Sequence, residues 1–301
     1  MKPLKQPLSY SDQIARLREA HGLTIDDEAE ALEILARVNY YRLSAYGIGL
    51  RRAEDPEKYR DGITLKHLYR LYQFDMRLRS ALLHLIEHVE IGLRTQIAYH
   101  LAMTYGSEGY RDVSNFEDRP TARSASIHSD TMEKLDAEIR RQDNLPYVKH
   151  HKHVYGGHFP IWVAVELFTF GMLSSLYSIM KPRDKKSIAS VYGVHPKHLE
   201  SWIITLVEIR NRCAHYGRLY NMPFNQTPFL FSEYARYRKA QNKLFPVILV
   251  LKRITEGQQE WLDFLKALEA LFSEYPEADP GFMNFPPDWK EVLEKSREVS
   301  I

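Results

Sequence analysis

Apolar residues recur along this chain mostly at intervals of three and four, and period-two alternation bounded by turn residues is nearly absent. A 3.6-residue period marks amphipathic helices, so the pattern predicts an all-α protein. Residues 9–21 and 27–50 read as two helices separated by Gly22-Leu23-Thr24, followed by a charged turn from Ala53 to Gly62. Thr64 suits the N-cap of a helix running toward Arg79, because its hydroxyl can accept from a first-turn amide that lacks a helical partner. Leu82, Ile86, Val89 and Leu93 then fall at 4-3-4 spacing and lay one apolar stripe on a helix over 80–104.

Gly, Ser, Asp, Asn and Pro crowd the stretch from Gly106 to Ser129, which predicts a loop. Helices are expected at 130–143, at 160–180 between Pro160 and Pro182, and at 197–216, where Gly217 offers a stop. A further pair, 230–253 and 257–274, precedes a Pro-rich tail. This order divides the chain into an N-terminal helical segment (1–62), a helical core (63–222) and a C-terminal helical segment (223–301).

Composition narrows the class without choosing a function. With 44% hydrophobic and 27% charged residues the 301-residue chain can bury a sizeable core. A net charge of +2 gives no overall attraction to nucleic acid, so any RNA contact needs a local basic patch. The single cysteine, Cys213, excludes an intrachain disulfide and suits a reducing compartment. No apolar run follows the charges of the first residues, and the longest apolar stretch, Phe159 to Leu173, contains Glu166 and is shorter than a membrane span. A cytoplasmic protein with no membrane partner is the expectation.

The candidate chemistry sits at the end of helix 197–216, in Arg210-Asn211-Arg212-Cys213-Ala214-His215. A guanidinium offers a planar fork of donors to phosphate, and an imidazole titrates near neutrality and can move a 2′-hydroxyl or leaving-group proton. The spacing is that of the R-x4-6-H signature of HEPN-type ribonucleases. On a helical wheel Trp202, Leu206, Ile209 and Cys213 form the core stripe, whereas His215, Glu208 and Asn211 face away from it and Arg210 lies at the flank. The bland alternatives are a satisfied core histidine and a solvated face carrying a Glu208–Arg212 pair. Five steps separate Arg210 from His215, a divergence of about 140°, so a composite site requires either a distortion near Gly217 or a second copy of the motif across a two-fold axis.

Other clusters admit more than one reading. Arg94 to His100 repeats the R-x5-H spacing, but Glu90 one turn earlier gives Arg94 a simpler partner, with Glu87, Glu90 and Arg94 able to support the site from behind. His150, His151, His153 and His158 interleave with Lys149 and Lys152 and with Tyr147 and Tyr155. No cysteine lies nearby, so metal ligation is the weakest reading, behind a solvated loop or an RNA-facing one. Tyr40, Tyr41, Arg42, Tyr46, Arg51 and Arg52 mix aromatic and cationic side chains, which suits either packing or single-stranded RNA. Arg218 and Tyr220, just past the motif, lie where a strand entering the site would pass, and Arg212 beside them adds a cation. Glu166, inside an apolar segment, is expected to pair with a core arginine.

Five segments taken in order carry a family resemblance: Asn39-Tyr40-Tyr41-Arg42-Leu43-Ser44; Phe74-Asp75 with Leu78-Arg79; Glu87, Glu90 and Arg94; Pro160 to Glu166 with Phe170 to Ser174; and Arg210-Asn211 with Cys213-Ala214-His215. Together they resemble the bacterial abortive-infection (Abi) family of the AbiD/AbiF type, in the HEPN superfamily, over nearly all of the chain up to about residue 225. The resemblance implies an all-helical, HEPN-like bundle with additional N- and C-terminal helices, acting in phage defence or as a toxin. It implies Arg210 and His215 as a catalytic pair with Asn211 as the polar residue that follows the arginine. It further implies RNA as substrate or as a small non-coding partner, a homodimer, and no metal, cofactor or DNA. The rival reading is a module that grips a structured RNA without cutting it. No motif is assigned beyond Asn225.

Overall fold

The computed structural model describes residues 4, 6–121, 125–237 and 242–295. Among these residues it contains helices and isolated β-bridges but no strand, as the periodicity predicts. The α-helices are α1 (Tyr10–Glu19), α2 (Glu28–Arg37), α3 (Tyr40–Ser44), α4 (Leu65–Tyr105), α5 (Ile127–Arg141), α6 (Pro146–Val154), α7 (Ile161–Ala164), α8 (Phe170–Ser178), α9 (Pro182–Val191), α10 (Pro196–Ala214), α11 (Leu244–Thr255), α12 (Gln259–Glu274) and α13 (Trp289–Glu294).

Helix α4 organises everything else. The stretches expected at 64–79 and 80–104 are one helix of 41 residues, about 60 Å long. Its buried residues Leu71, Phe74, Leu78, Leu82, Ile86, Val89, Leu93 and Ile97 keep a three-to-four spacing without a break. Thr64 caps it, its Oγ1 accepting from the His67 amide at 2.9 Å. Helices α7, α9, α10, α11 and α12 pack along its length. Buried residues from Ile14 to Leu293 form one hydrophobic cluster that includes the segment after 225, with Phe285, Trp289 and Leu293 inside it.

Local capping overrides the apolar pattern in two places, and a third helix starts later than its pattern. The helix expected over 27–50 breaks at Val38, whose backbone is extended, and Asn39 starts α3 by accepting from the Tyr41 amide. The helix expected over 160–180 divides at Phe168, because Thr169 caps α8 through the Met172 amide. The helix expected from 230 begins only at Leu244 after a 3₁₀ turn at Ser232–Tyr237, and residues 238–241 lie outside the described set. Of the His-Lys cluster, expected as a loop, Lys149 to His153 lie in α6, which has Pro146 in its first turn, and His158 follows it. No helix among the described residues is long and apolar enough to cross a membrane.

Candidate functional site

The site is built at the C-terminal end of α10. Trp202, Leu206, Ile209 and Cys213 are buried as the wheel requires, and this places Asn211 and His215 at the surface. The helix stops at Ala214, and His215 is its C-cap, with φ −99° and ψ 21°. Two backbone bonds close the end: the Tyr216 amide donates to Cys213 O at 3.2 Å and the Gly217 amide to Arg212 O at 2.8 Å. This is a Schellman motif, which normally places glycine in the left-handed position. Here Tyr216 occupies that position at φ 58°, and its ring is 70% exposed. Gly217, expected as the stop, follows one residue later. Its own requirement is space, because a Cβ there would lie 2.7 Å from the Arg212 side chain.

Arg210 is held from behind by a nearly buried carboxylate. Glu90 of α4 donates nothing and accepts from Arg94 through Oε1, while its Oε2 lies 3.4 Å from Arg210 Nε. Arg94 also donates to Val165 O at 2.6 Å, tying the turn after α7 into the same cluster. Asn211 Oδ1 accepts from Arg210 Nη1 at 3.4 Å, and the Asn211 carbonyl accepts the His215 amide at 2.9 Å. Arg210 keeps about a third of its side chain exposed and His215 is exposed. The His215 imidazole has no hydrogen bond among the described residues. Glu87 is exposed one turn before Glu90.

A second buried network fixes the chain that leaves His215. Asp75 of α4 is fully buried, and its Oδ1 accepts from the amides of Leu219 and Tyr220 at 3.0 and 2.8 Å. Its Oδ2 accepts from the Tyr46 hydroxyl at 2.7 Å and from Arg79. Burial raises the Asp75 pKa above the ordinary carboxylate value, with Arg79 and the other donors pulling it back. Burial also pushes the neighbouring Cys213 thiol up to about 12, so that thiol is a core group and not a nucleophile. Arg42 of α3 donates to Tyr216 O at 2.7 Å, and Arg218 donates to Ala45 O.

Several expected RNA contacts are committed to structure instead. Tyr220 is enclosed, its hydroxyl accepting from the Asp279 amide at 3.2 Å, so no strand reaches its ring. Arg218 is half-buried against Tyr46. Arg212 pairs with Glu208 at 3.2 Å and lies over the Phe224 ring, because the chain after the motif folds back across this face. That fold-back also explains why Glu208 is half-buried: it accepts from the amides of Asn225 and Gln226. Lys152 pairs with Asp143 at 2.6 Å, whereas Lys149 is exposed. Both lie on α6, with His151 stacked on Phe159 and His158 bound to Glu108.

The second R-x5-H match divides between two unrelated partners, since His100 Nε2 lies 3.0 Å from Asp184 Oδ1 while Arg94 serves Glu90. Glu166 is exposed in a 3₁₀ turn, not paired with a core arginine; the arginine meets the backbone carbonyl of Val165 in its place. No group of three His, Cys, Asp or Glu side chains among the described residues is arranged to hold a metal ion. Tyr216 went unread as a site residue. The only sequence signal for it is an aromatic residue between the motif histidine and Gly217.

The segments that carry the family resemblance meet in space: Asn39–Ser44 and Phe74–Arg79 behind the turn after His215, and Glu87–Arg94 and Pro160–Glu166 behind Arg210. No curated protein and no solved structure matches the chain. Residues 33–221, which contain both networks and the whole of the motif, match the Abi-like protein family. That match covers more than half of the chain, and the protein belongs to the Abi-like, abortive-infection family, a membership that supports a role in phage defence.

Proposed function

We propose that this protein is a HEPN-type endoribonuclease of phage defence that cuts RNA at Arg210 and His215. The observation that carries the reading is the contrast at the end of α10: an exposed imidazole at the helix cap, and an arginine fixed from behind by Glu90 yet open in front. A histidine used only for packing would be covered, and this one is not.

In the proposed reaction the ribose 2′-oxygen attacks the adjacent phosphorus and the 5′-oxygen leaves, forming a 2′,3′-cyclic phosphate. His215 takes the 2′-hydroxyl proton or supplies one to the leaving oxygen. Arg210 donates to the non-bridging oxygens, where charge builds in the transition state. Asn211 holds Arg210 through its side chain and His215 through its carbonyl, and Glu90 keeps the guanidinium from swinging inward. Nucleophile, base and charge stabiliser are all supplied by RNA and protein, so the scheme calls on no cofactor. The Tyr216 ring, exposed beside His215, offers a face on which a base can stack.

Arg210 and His215 diverge by about 140° on the wheel, and a site that uses both is completed by a second copy of the motif. A mixing experiment tests this. Arg210→Ala and His215→Ala are each inactive alone, and an equimolar mixture allowed to exchange subunits recovers part of the parental cleavage. No recovery from a mixture shown to contain mixed dimers rules out the shared site. A small non-coding RNA is the partner that would restrain such an enzyme before infection. RNA that co-purifies with the chain while added RNA stays uncut would favour the rival reading, a module that grips RNA.

A further inference from the structure

A cleft of about 790 Å³ opens among α1, α2, α3 and the turn around Glu57, a size suited to holding a small ligand or part of a strand. Tyr10, Tyr40 and Tyr41 line it, and Tyr41 is 83% exposed. Tyr40 packs partly against the core, whereas the open rings of Tyr10 and Tyr41 share the cleft with Arg16, Arg37 and Arg51. Arg51 shapes the floor, donating to the carbonyls of Pro56 and Glu57 and lying over Tyr59. Arg16 has no ion pair among the described residues, and Arg37 is shared only with the exposed Glu33. Among the described residues Glu57 is the single acidic residue of the lining.

The cleft adjoins the motif through α3. That five-residue helix, about 7.5 Å long, lines the cleft with Tyr40 and Tyr41, and its Arg42 buttresses the Tyr216 carbonyl beside His215. Aromatic faces with guanidinium groups beside them are the recognised means of holding a single strand, with bases stacked and phosphates neutralised.

We infer that this cleft is a subsite for single-stranded RNA, holding the unpaired flank of the RNA that is cut at Arg210 and His215. The inference rests on the ribonuclease reading for its choice of ligand. Tyr41 and Tyr10 stack bases, Arg16 and Arg37 meet the backbone, and Glu57 weakens the grip. Stacking reads no base edge, so the subsite tolerates any sequence.

The test uses the full chain in the His215→Ala background and a short fluorescent oligouridine, read by anisotropy at several salt concentrations. Tyr41→Ala weakens binding by roughly 5- to 150-fold. Arg16→Ala and Arg37→Ala each flatten the salt dependence by about 0.7 in slope. Glu57→Gln tightens binding. All four side chains are at the surface, and thermal melts establish that the variants stay folded. Parental affinity and slope in Tyr41→Ala and Arg16→Ala overturn the subsite, and if those changes leave cleavage by the otherwise parental enzyme intact the ribonuclease reading survives. Weakened binding by Tyr41→Ala in a protein whose parent cuts no RNA sustains the subsite and overturns the ribonuclease. A parent that binds no oligouridine overturns the subsite outright.

Discussion

Arg210 of α10 sits against Glu90 of α4, Nε 3.4 Å from Oε2, while the other oxygen of that carboxylate is taken by Arg94. One acid thus serves two arginines from different helices, and it is only 9% exposed. A carboxylate so nearly removed from water is stable only while it is paired, which makes Glu90 a fixed support for the one motif cation that remains partly open. Replacing Glu90 with Gln is expected to cost about 3–5 kcal/mol of stability, because the Arg94 charge is left without its partner. Urea unfolding measures this, and a loss below 1 kcal/mol would show that neither arginine depends on the acid.

Asp75 makes a parallel prediction for the other side of the motif. Its carboxylate joins the amides of Leu219 and Tyr220 to Arg79 and Tyr46. Asp75→Asn keeps an acceptor for the amides but turns donors toward Arg79, and is expected to cost about 2–4 kcal/mol. The turn bearing His215 should loosen with it. Hydrogen exchange at Leu219 and Tyr220 therefore rises well before global unfolding, and unchanged protection there would contradict the role given to Asp75.

Tyr216 holds a left-handed backbone that glycine adopts freely. Relief of that strain outweighs the added flexibility of the unfolded chain, so Tyr216→Gly should gain about 0.5–1 kcal/mol. The same change removes the exposed ring beside His215 and should weaken RNA binding. A residue whose loss raises stability and lowers function is strain kept at a working site. A variant that is both more stable and fully active would remove Tyr216 from the site.

Acid pH probes the packing of α4. Burial lowers the His67 pKa below the ordinary value, and its Nε2 is buried without a hydrogen-bond partner among the described residues. The unfolded chain takes up a proton near pH 6.5 and the folded one resists it. The neutral ring's contribution is therefore complete above that pH and is lost as pH falls toward the depressed value. Stability measured by urea should drop between pH 7.5 and 5.5, and His67→Leu should shrink the drop. An equal drop in both proteins would assign it elsewhere.

The sequence made some of this legible and hid the rest for physical reasons. Helical periodicity is a local property, so the buried stripe Trp202, Leu206, Ile209 and Cys213 could be placed from spacing alone. Caps are also local, yet Asn39 and Thr169 lie within apolar runs whose period continues past them, and the runs concealed the breaks. Partners far apart in the chain leave no periodic trace: Asp75 meets residues more than 140 positions away, and nothing near Tyr220 marks it as enclosed. Glu166 misled because an apolar neighbourhood suggests burial, while a 3₁₀ turn points that one side chain outward. At the motif the residues themselves were readable, whereas the left-handed Tyr216 and the grip of Glu90 on Arg210 belong to tertiary structure.

Cleavage of a 5′-labelled single-stranded RNA in the presence of a chelator bears most directly on the assignment of Arg210 and His215. The parent is expected to cut and leave 2′,3′-cyclic phosphate ends, and His215→Ala to cut roughly 10²- to 10⁴-fold more slowly with unchanged melting, since His215 is exposed. Parental cleavage by folded His215→Ala, or products that carry a 3′-hydroxyl, would contradict it.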